Sequence, residues 1–391
     1  MIRFEEAYRI VSENVKQLSP EKVKLEDSLY RILAKDVKSD MNMPPFDKSA
    51  VDGFACKKSD LKNPLEIIEI IPAGSLPQKV IGKNQCSKIM TGAKIPEGAD
   101  VVIMVEHTKT ISDNTIVFTK ENTTPNIAKK AEDIKEGQVV LKKGICIKPQ
   151  HIAMLASVGC SEPIVFSKPK VAILSTGNEL VEPNQIPGPA QIRNSNSWQL
   201  YTQALRTNTI PVYYGIIGDS EIETDKAIKK ALKDNDVVLL TGGVSMGDYD
   251  FVPKILKGNN ISLKFEKIQI KPGMPTVFGT HEKAFVFGLP GNPVSSYIVF
   301  EVLVKPFLQK IMGNHEEQTL LKLPLGVDYK RKKTDRLGWI PSKINAAGEV
   351  IPVEYHGSAH VFSICDADVI FSVEIGVSEI AKGEMVNARQ I

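Results

Sequence analysis

The sequence predicts an α/β multidomain protein with four parts: a connecting domain that contains the N-terminus, an inserted β-rich domain, a three-layer α/β/α domain with a parallel sheet, and a C-terminal β-barrel. The 391-residue chain is too long for one hydrophobic core, and 42% of its residues are apolar, so several domains can each bury a core. Within residues 169–312, apolar strand-like runs alternate with amphipathic helical segments, which is typical of a parallel sheet covered by helices.

The first third of the chain predicts one helix followed by a β-rich segment. In FEEAYRIVSENVKQ, apolar residues recur at helical spacing, and the irregular MPPFDKSAVDGFA follows. Residues 65–133 contain the strand-like runs LEIIEIIPAG, ADVVIMVEHTKT and TIVFTK, with SDN as a hairpin turn. We interpret VVLKKGICI and HIAMLASVG, in residues 134–168, as connecting structure beside the first fifty residues. We therefore assign residues 1–45 and 134–168 to the connecting domain and residues 46–133 to the β-rich domain.

The remaining chain predicts an α/β domain over residues 169–312 and a barrel over residues 313–391. The predicted strands of the α/β domain are KVAILSTG, IPVYYGIIGD, DVVLLTGG and AFVFGLPG, and its predicted helices are SNSWQLYTQALRT, EIETDKAIKKALKD and a long helix from Val294 to Met312. Beyond Gly313 the sequence changes to short strand-like pieces, among them LLKLPLGVDY, GWIPSKI, EVIPVEY and ADVIFSVEI. Several short strands in succession favour a compact β-barrel.

Charge and cysteine usage exclude several classes of protein. The 49 basic and 46 acidic residues give a net charge of +3, so no global field favours nucleic acid or a membrane surface as a partner. The charged N-terminal helix is unlike a signal peptide, and no run reaches the roughly twenty apolar residues that span a bilayer. The cysteines form no CxxC pair, which argues against a zinc site and a disulfide framework and favours a reducing, cytoplasmic location: Cys56, Cys86, Cys146, Cys160 and Cys365.

Acidic side chains follow three of the predicted parallel strands. Ligands of such folds bind outside the carboxyl ends of the strands, where STGNEL, GIIGD and TGGVSMGDYD lie. Glu179, Asp219 and Asp250 could share a Mg²⁺ ion, which prefers carboxylate and water oxygens and bridges substrate phosphates. Each acid alone could instead cap a helix. Their occurrence after three glycine-bearing strand ends favours the metal site.

Two further loops provide groups that suit an anion. In FEKIQIKPGMP, Lys267 and Lys271 alternate with apolar residues, so both are predicted on one strand face, with solvated lysines at a sheet edge as the alternative. GLPGNPVSS predicts a rigid loop that opens a helix and seats an oxyanion near its N-terminus. The six histidines are scattered and no GxSxG elbow occurs, so a nucleophilic triad is not predicted. His356 and His360 are four apart, but the intervening Gly357 and Ser358 argue against a helical metal pair.

Six motifs occur in an order that resembles the MoeA family of molybdopterin molybdenumtransferases, which includes the E domain of gephyrin. They are PPFDKSAVDGFA, MTGAKIPEGADVVIMVE, STGNEL, GGVSMGDYDF, KPGMP and GLPGNPVSS. The resemblance covers residues 1–312 well and the last eighty more loosely. It implies insertion of molybdenum from molybdate into adenylyl-molybdopterin with Mg²⁺, release of AMP, and elongated homodimers of four-domain chains whose active sites lie at the interface. It also implies handover from a molybdopterin adenylyltransferase and to apo-molybdoenzymes.

The resemblance also assigns the candidate site residues. As catalytic positions it implies Asp52, Thr91, Asp133, Glu179, Asp250 and Lys271. As positions that bind the cofactor precursor it implies Gly242, Gly243, Ser245, Lys267, Pro290, Asn292, Pro293, Ser295 and Ser358. The expected metal ligands are Glu179, Asp219 and Asp250.

The chain departs from the family pattern at three places. Where the family has arginine and glycine in NIRxxGED, NIAKKAED has Ala128 and Ala131, with Lys129 or Lys130 as a replacement cation. KPGKP is replaced by KPGMP, with Met274. The third departure, around Pro341, leaves Lys343 in place of an arginine, and an ammonium group cannot reproduce a bidentate guanidinium. Two other functions therefore stay open: a non-catalytic molybdopterin-binding scaffold, and a molybdopterin adenylyltransferase, whose family carries GGTG where this chain has GGVS.

Overall fold

The computed structural model describes residues 1–243, 252–315, 320–354 and 357–391. Its α-helices are α1 (Phe4–Glu13), α2 (Pro149–Ser157), α3 (Ser195–Arg206), α4 (Glu221–Asp234), α5 (Val252–Gly258), α6 (Pro293–Val299) and α7 (Lys305–Ile311). A π-helical turn, Phe300–Val304, joins α6 to α7, so the long helix predicted from Val294 to Met312 is nearly continuous. None of the helices in the described ranges is long and apolar enough to cross a bilayer.

The first 168 residues contain twelve strands in the described structure. They are β1 (Pro20–Lys22), β2 (Val37–Lys38), β3 (Lys48–Ser49), β4 (Gly53–Cys56), β5 (Leu65–Ile71), β6 (Gln85–Ile89), β7 (Val101–Met104), β8 (Thr108–Ser112), β9 (Thr115–Phe118), β10 (Ile127–Ala128), β11 (Val139–Leu141) and β12 (Ile164–Phe166). A six-stranded sheet has the order β7-β4-β6-β5-β9-β8. The hairpin predicted at SDN is confirmed, because β8 and β9 pair antiparallel around it.

Residues 1–45 and 134–168 pack together through a small shared core. Strand pairs β1–β12 and β2–β11 join the two segments, and Leu33, Leu155 and Val165 are fully buried between them. HIAMLASVG packs beside the first fifty residues as expected, and most of it forms α2, a helix that the sequence interpretation did not include. Pro149 presets the backbone at the helix start, and burial of Leu155 on one side stabilises the rest.

The α/β part is built on a mixed six-stranded sheet. Its strands, with the short pairs beside it, are β13 (Lys170–Thr176), β14 (Leu180–Val181), β15 (Ile192–Arg193), β16 (Ile210–Ile217), β17 (Val237–Thr241), β18 (Ser262–Phe265), β19 (Ile270–Lys271), β20 (Val277–Thr280) and β21 (Phe285–Leu289). The order is β16-β13-β17-β21-β20-β18. The first four are parallel as predicted, but β20 pairs antiparallel with β21, and β18 pairs antiparallel with β20. Residues 281–284 connect β20 to β21 and are too few for a parallel crossover.

Helices cover both faces of this sheet and make three layers. Alternate residues of each strand point to opposite faces. Ile173 and Leu239 pack on the side of α3 and α7, whereas Leu174 and Val238 pack on the side of α4 and α5. Burial on both faces explains why the strands are almost continuously apolar. The carboxyl ends of β13, β17 and β21 consequently meet at one edge.

The C-terminal strands form another mixed sheet and a separate two-stranded antiparallel sheet. They are β22 (Leu321–Pro324), β23 (Tyr329–Lys330), β24 (Leu337–Ile344), β25 (Val350–Pro352), β26 (Val369–Val373), β27 (Glu379–Ile380) and β28 (Met385–Gln390). The order is β19-β24-β26-β28-β22, with β25 also paired to β24. The edge strand β19 comes from the preceding part of the chain, so main-chain hydrogen bonds join that part to the C-terminal sheet.

Candidate functional site

A cavity of about 290 Å³ lies at the carboxyl ends of β13, β17 and β21. We call it the strand-end cavity and define it by Thr176, Glu179, Asn196, Thr241, Gly242 and Asn292. Its position is the one that the sequence predicted for a ligand of a doubly wound sheet. Two segments distant in sequence complete its wall, the start of α3 and a C-terminal segment with Ala359 and Val361.

The turn after β17 is built from two glycines in left-handed conformations. Gly242 has φ +89° and Gly243 has φ +62°. A Cβ atom on Gly242 would lie 2.5 Å from the carbonyl oxygen of Thr176 and 3.0 Å from its hydroxyl oxygen. The backbone of the turn therefore packs directly against β13, a closeness that only glycine permits. Ser245 and Asp250, predicted in the same loop, lie outside the described residues.

Thr176 presents a hydroxyl group with no protein partner at the cavity wall. The residue is 6% exposed, and its Oγ1 makes no hydrogen bond to any part of the chain that the structure describes. An unsatisfied buried hydroxyl costs about 1–3 kcal/mol.

The N-terminus of α3 faces the same cavity, which the sequence interpretation missed. Asn194 caps the helix by accepting a hydrogen bond from the Ser197 N–H at 3.2 Å. Asn196 Nδ2 donates to the carbonyl of Gly291 at 2.7 Å and to Thr241 Oγ1 at 3.0 Å, joining two strand ends to the helix. The signal was present in RNSNSW, where successive Asn and Ser residues precede a helix. Free N–H groups at this end of the helix favour an anion.

Two of the three predicted metal-binding carboxylates lie on adjoining loops. Asn178 N–H donates to Asp219 Oδ2 at 3.0 Å, and Asp219 N–H donates back to Asn178 Oδ1 at 3.1 Å. The Glu179 carboxylate folds over Gly177, where a Cβ atom would lie 2.4 Å from Oε2. Ser220 caps α4, so Asp219 does not have the capping role that was its alternative. Within the described ranges no three His, Cys, Asp or Glu residues form a metal-sized group.

The GLPGNPVSS loop meets the C-terminal part of the chain at the cavity. Asn292 Nδ2 donates to Ser358 Oγ at 2.8 Å, and the Val294 N–H donates to the Ser358 carbonyl at 3.1 Å. The Pro290 carbonyl accepts a hydrogen bond from Thr241 Oγ1 at 3.2 Å. Pro293 begins α6, and Ser295 is buried behind it. The structure thus brings Ser358 beside Asn292, two residues far apart in sequence.

The prediction that Lys267 and Lys271 share one strand face is wrong. Strand β18 ends at Phe265, and Lys267 lies outside any strand with its carbonyl accepting from the Ile2 N–H at 3.1 Å. Lys271 lies in β19, which pairs with β24 of the C-terminal sheet. The chain changes sheets between the two lysines, so alternation along the sequence does not translate into one surface. Neither lysine lines the strand-end cavity.

The β-rich part carries a separate polar group around Asp52. Asp52 Oδ1 accepts hydrogen bonds from the Thr91 N–H at 2.7 Å and the Thr91 hydroxyl at 3.0 Å. These two bonds, the backbone one foremost, hold the pKa of Asp52 below its usual value, so the exposed carboxylate is anionic at neutral pH. Asp133 is anchored elsewhere, with its N–H donating to the Met43 carbonyl at 3.1 Å. Within the described residues, no hydrogen bond or ion pair links Asp52, Thr91 or Asp133 to the strand-end cavity.

One of the two replacement cations in NIAKKAED is paired within its own chain. Lys129 Nζ lies 2.9 Å from Asp47 Oδ2, and the Lys130 N–H donates to Asp47 Oδ1 at 2.8 Å. The Lys130 backbone bond and then the Lys129 ammonium lower the pKa of Asp47. Lys129 therefore neutralises Asp47, while Lys130 is exposed.

Ala131 adopts a left-handed conformation, with φ +62°. We expect Ala131→Gly to raise the free energy of unfolding by about 0.5–1 kcal/mol, because relief of about 1–2 kcal/mol of left-handed strain exceeds the added unfolded-state entropy. Urea unfolding monitored by circular dichroism would measure it. Ala128→Gly is the matched control, because Ala128 lies in strand β10 and glycine there should destabilise. Equal destabilisation by both substitutions would contradict the assigned strain.

Comparison with known protein families gives two matches along the chain. Residues 2–159 match the family model of the MoeA N-terminal region, domains I and II. Residues 172–310 match the model of a probable molybdopterin-binding domain. The second match contains every described residue that defines the strand-end cavity.

Individual relatives cover almost the whole chain. The chain is 39% identical to the molybdopterin molybdenumtransferase of Bacillus subtilis (strain 168). The alignment spans 330 residues, which are 82% of this chain and 77% of the relative. The chain is 36% identical to a Staphylococcus epidermidis protein of the same name over 93% of this chain and 90% of the relative. The solved structure of the molybdopterin biosynthesis moeA protein from Pyrococcus horikoshii OT3 superposes with a TM-score of 0.85 at 30% identity, covering all of both chains.

Proposed function

Because the chain belongs to the MoeA family of molybdopterin molybdenumtransferases, we propose that it inserts molybdenum from molybdate into adenylyl-molybdopterin, releasing AMP and molybdenum cofactor. The observation that carries this proposal is the identity with the Bacillus subtilis transferase across most of both chains. The strand-end cavity supports it, because its polar groups suit a substrate rich in phosphate oxygens.

The described walls of the cavity provide several donors for an oxyanion. The N-terminus of α3 and the backbone of the turn at Gly242 border one space. Bringing a molybdate dianion to a phosphorylated substrate is opposed by about 4 kcal/mol per unit-charge pair at 4 Å and an effective dielectric of 20. Fixed donors offset this repulsion without reorganising during the reaction.

Glu179 and Asp219 fit the expected Mg²⁺ ion. Their carboxylate oxygens are hard donors on adjoining loops, and Mg²⁺ is commonly held by one or two carboxylates together with substrate phosphates and water. Asp250 is the third proposed ligand. When bound, the ion would supply positive charge to the phosphoanhydride. The chain's own residues position the ligands: Asn178 fixes the Asp219 loop, and Gly177 leaves room for the Glu179 side chain.

The proposal includes a homodimer in which the β-rich part of one copy completes the site of the other. Its support is that Asp52 and Thr91 form an ordered, exposed pair with no described connection to the cavity of their own chain.

Lys271, Lys267 and Asp133 keep their proposed roles toward phosphate or molybdate. Substrate would arrive from a molybdopterin adenylyltransferase, and product would pass to apo-molybdoenzymes. We retain the cytoplasmic location within this proposal, on the widely spaced cysteines of the sequence.

We retain the division into four domains at residues 46, 134, 169 and 313 within this proposal. Four successive strand pairs, β22–β28, β28–β26, β26–β24 and β24–β25, support a C-terminal barrel. A parallel bridge between Val350 of β25 and Leu325, the residue after β22, connects the last strand of this series to the first. Such a return removes free edges.

The proposed activity is tested by mixing the purified chain with adenylyl-molybdopterin, Mg²⁺ and molybdate. We expect molybdate-dependent release of AMP together with reconstitution of an apo-molybdoenzyme. Substrate binding without AMP release would instead support the scaffold function, for which the replacement of the family arginine by Ala128 is the specific observation. Formation of adenylyl-molybdopterin from ATP and molybdopterin would support the adenylyltransferase.

A further inference from the structure

A row of polar contacts runs along one face of α3, from the strand-end cavity to the far end of the helix. The side chains that make it are three, four and three residues apart, a spacing that places them on one helix face: Asn196, Gln199, Gln203 and Arg206. All four donate hydrogen bonds to the segment of residues 291–301. We call this set of contacts the α3 seam. Ten residues of helix make it about 15 Å long.

The seam begins in the wall of the strand-end cavity. Asn196 Nδ2 donates to the Gly291 carbonyl at 2.7 Å, and one turn later Gln199 Nε2 donates to the Pro293 carbonyl at 3.3 Å. Asn196, Gly291 and Pro293 all line the cavity. The first bonds of the seam therefore join two parts of the cavity wall that are almost a hundred residues apart in sequence.

Glu301 anchors the other end of the seam. It lies in the π-helical turn and is 3% exposed. Its Oε1 accepts hydrogen bonds from Gln203 Nε2 at 2.7 Å and from Arg206, and its Oε2 pairs with Lys305 Nζ at 3.0 Å. Gln203 Nε2 also donates to the Tyr297 carbonyl at 3.3 Å. Because both carboxylate oxygens are occupied by protein donors, Glu301 can influence a ligand only through the residues that it holds.

Directional bonds are needed here because apolar packing alone leaves α3 free to slide. The two helices also contribute apolar side chains to one buried cluster, Leu200 and Ala204 from α3 and Val294 and Ile298 from α6. Burial of apolar surface is non-directional, whereas a hydrogen bond requires a defined distance and angle. A shift of α3 by one turn, about 5.4 Å, would break every bond of the seam. The seam thus sets the position of α3 along its axis relative to residues 291–301.

We propose that Glu301 is a positioning residue of the strand-end cavity: through the α3 seam it holds the N-terminus of α3 at the distance from residues 291–293 that binding of the substrate's phosphate groups requires. A misplacement of about 1 Å by a change far from the reacting atoms can lower a rate about 100-fold. The inference rests on the proposed function for the identity of the substrate. It adds a residue that touches no substrate.

Isothermal titration with pyrophosphate, without added metal, and the kcat of molybdate-dependent AMP release test this role. Glu301→Leu removes the acceptor at the end of the seam, so we expect pyrophosphate affinity to fall at least about tenfold and kcat to fall about 10- to 100-fold. Glu301→Gln keeps an oxygen for Gln203 and Arg206, so both quantities should stay within about threefold of wild type. Gln203→Met removes the seam bonds to residues 297 and 301 and should reproduce the loss.

Leu232→Ala is the control for a general loss of stability. Leu232 is 4% exposed and packs in the cluster of α4, on the opposite face of the sheet, so its truncation destabilises the chain without touching the seam. Its pyrophosphate affinity and kcat should stay within about threefold of wild type, since the site of the change is independent of the seam. Equal losses in Leu232→Ala and Glu301→Leu would overturn the positioning role.

Two other results would also overturn it. One is unchanged pyrophosphate affinity and kcat in a folded Glu301→Leu protein. The other is a loss in Glu301→Gln as large as that in Glu301→Leu, which would assign the effect to the charge of Glu301 instead of the alignment of the seam. If Glu301→Leu does not fold, Gln203→Met decides the question, because methionine keeps a side chain of similar length without the amide donor.

Comparison of binding with turnover separates this inference from the proposed function. A wild-type protein that binds pyrophosphate in a Glu301-dependent way but releases no AMP would overturn the function and retain the positioning role. AMP release with the same kcat in wild type, Glu301→Leu and Gln203→Met would retain the function and overturn the positioning role. A wild-type protein that neither binds pyrophosphate nor releases AMP would overturn both, because the seam would then have no phosphate site to position.

Discussion

Gly242→Ala is expected to lower the free energy of unfolding by about 3 kcal/mol, as the sum of left-handed strain and a backbone clash. Gly242 has φ +89°, and the new Cβ atom would lie 2.5 Å from the Thr176 carbonyl oxygen. That oxygen belongs to the central strand β13, which cannot move away without disturbing its pairing with β16 and β17. Displacement of the turn would also shift the Thr176 hydroxyl at the cavity, so binding of the substrate should weaken.

Gly215→Ala is the matched control for this prediction. Gly215 has φ +87° and lies in the same sheet, but its Cβ position has no heavy atom within 4 Å. It therefore measures the conformational cost alone, about 1 kcal/mol. Urea unfolding followed by tryptophan fluorescence would compare the two variants. Equal losses of stability would show that the contact between the turn and β13 contributes nothing, and the close packing assigned to the cavity wall would be wrong.

Local patterns predicted the layers of the α/β part but not the partners at its edges. Strands such as β13 and β17 were recognisable because burial on both faces requires continuous apolar residues. The antiparallel edge and the separation of Lys267 from Lys271 depend on pairings between distant segments, such as Ile270 with Leu337. Alternation in sequence carries no information about which sheet a strand joins. Helix α2 was missed because its short, mostly apolar sequence lacks the polar face that marks a longer helix.

The candidate site was predicted in part, through Glu179 and the neutral residues Gly242, Asn292 and Pro293, which line the strand-end cavity. Carboxylates after strand ends are conspicuous, and the structure places Glu179 and Asp219 on adjoining loops. Asn196 was missed because its meaning depends on contact with Gly291, a residue 95 positions away. Thr176 was missed because only its burial without a partner distinguishes it from other strand-end threonines. Long-range neutral hydrogen bonds leave little trace in a single sequence.

Asp52→Ala and Glu179→Ala should each reduce molybdate-dependent AMP release at least about 100-fold, yet a mixture of the two should recover activity. The reason lies in the proposed homodimer, where Asp52 of one copy and Glu179 of the other complete one site. Random exchange makes half of the dimers mixed. Each mixed dimer has one intact and one doubly altered site, so about one quarter of the wild-type sites return.

The two variants are suited to this test because neither should unfold the chain. Both carboxylates are exposed, and the Asp52 bonds to Thr91 join two surface positions, so the loss of activity is separable from a loss of stability. Subunits would be exchanged by mild denaturation and dilution, and mixed dimers quantified by two affinity tags. The control is a mixture of Glu121→Ala and Glu179→Ala. Glu121 is an exposed acid of the same β-rich part and has no assigned role, so this mixture should retain about half of the wild-type sites.

The amount of activity recovered distinguishes the possible arrangements of the site. If Asp52 and Glu179 act within one chain, each mixed dimer contains one inactive site from each variant, and mixing restores nothing. Recovery of about one quarter requires that they come from different chains. The described contacts favour a site shared between two chains. The hydrogen bonds described for the Asp52 carboxylate go to Thr91, whereas the strand-end cavity is lined by the α/β and C-terminal parts of the chain. An absence of recovery with mixed dimers present would place a complete site in each chain and would remove the functional reason for the proposed dimer.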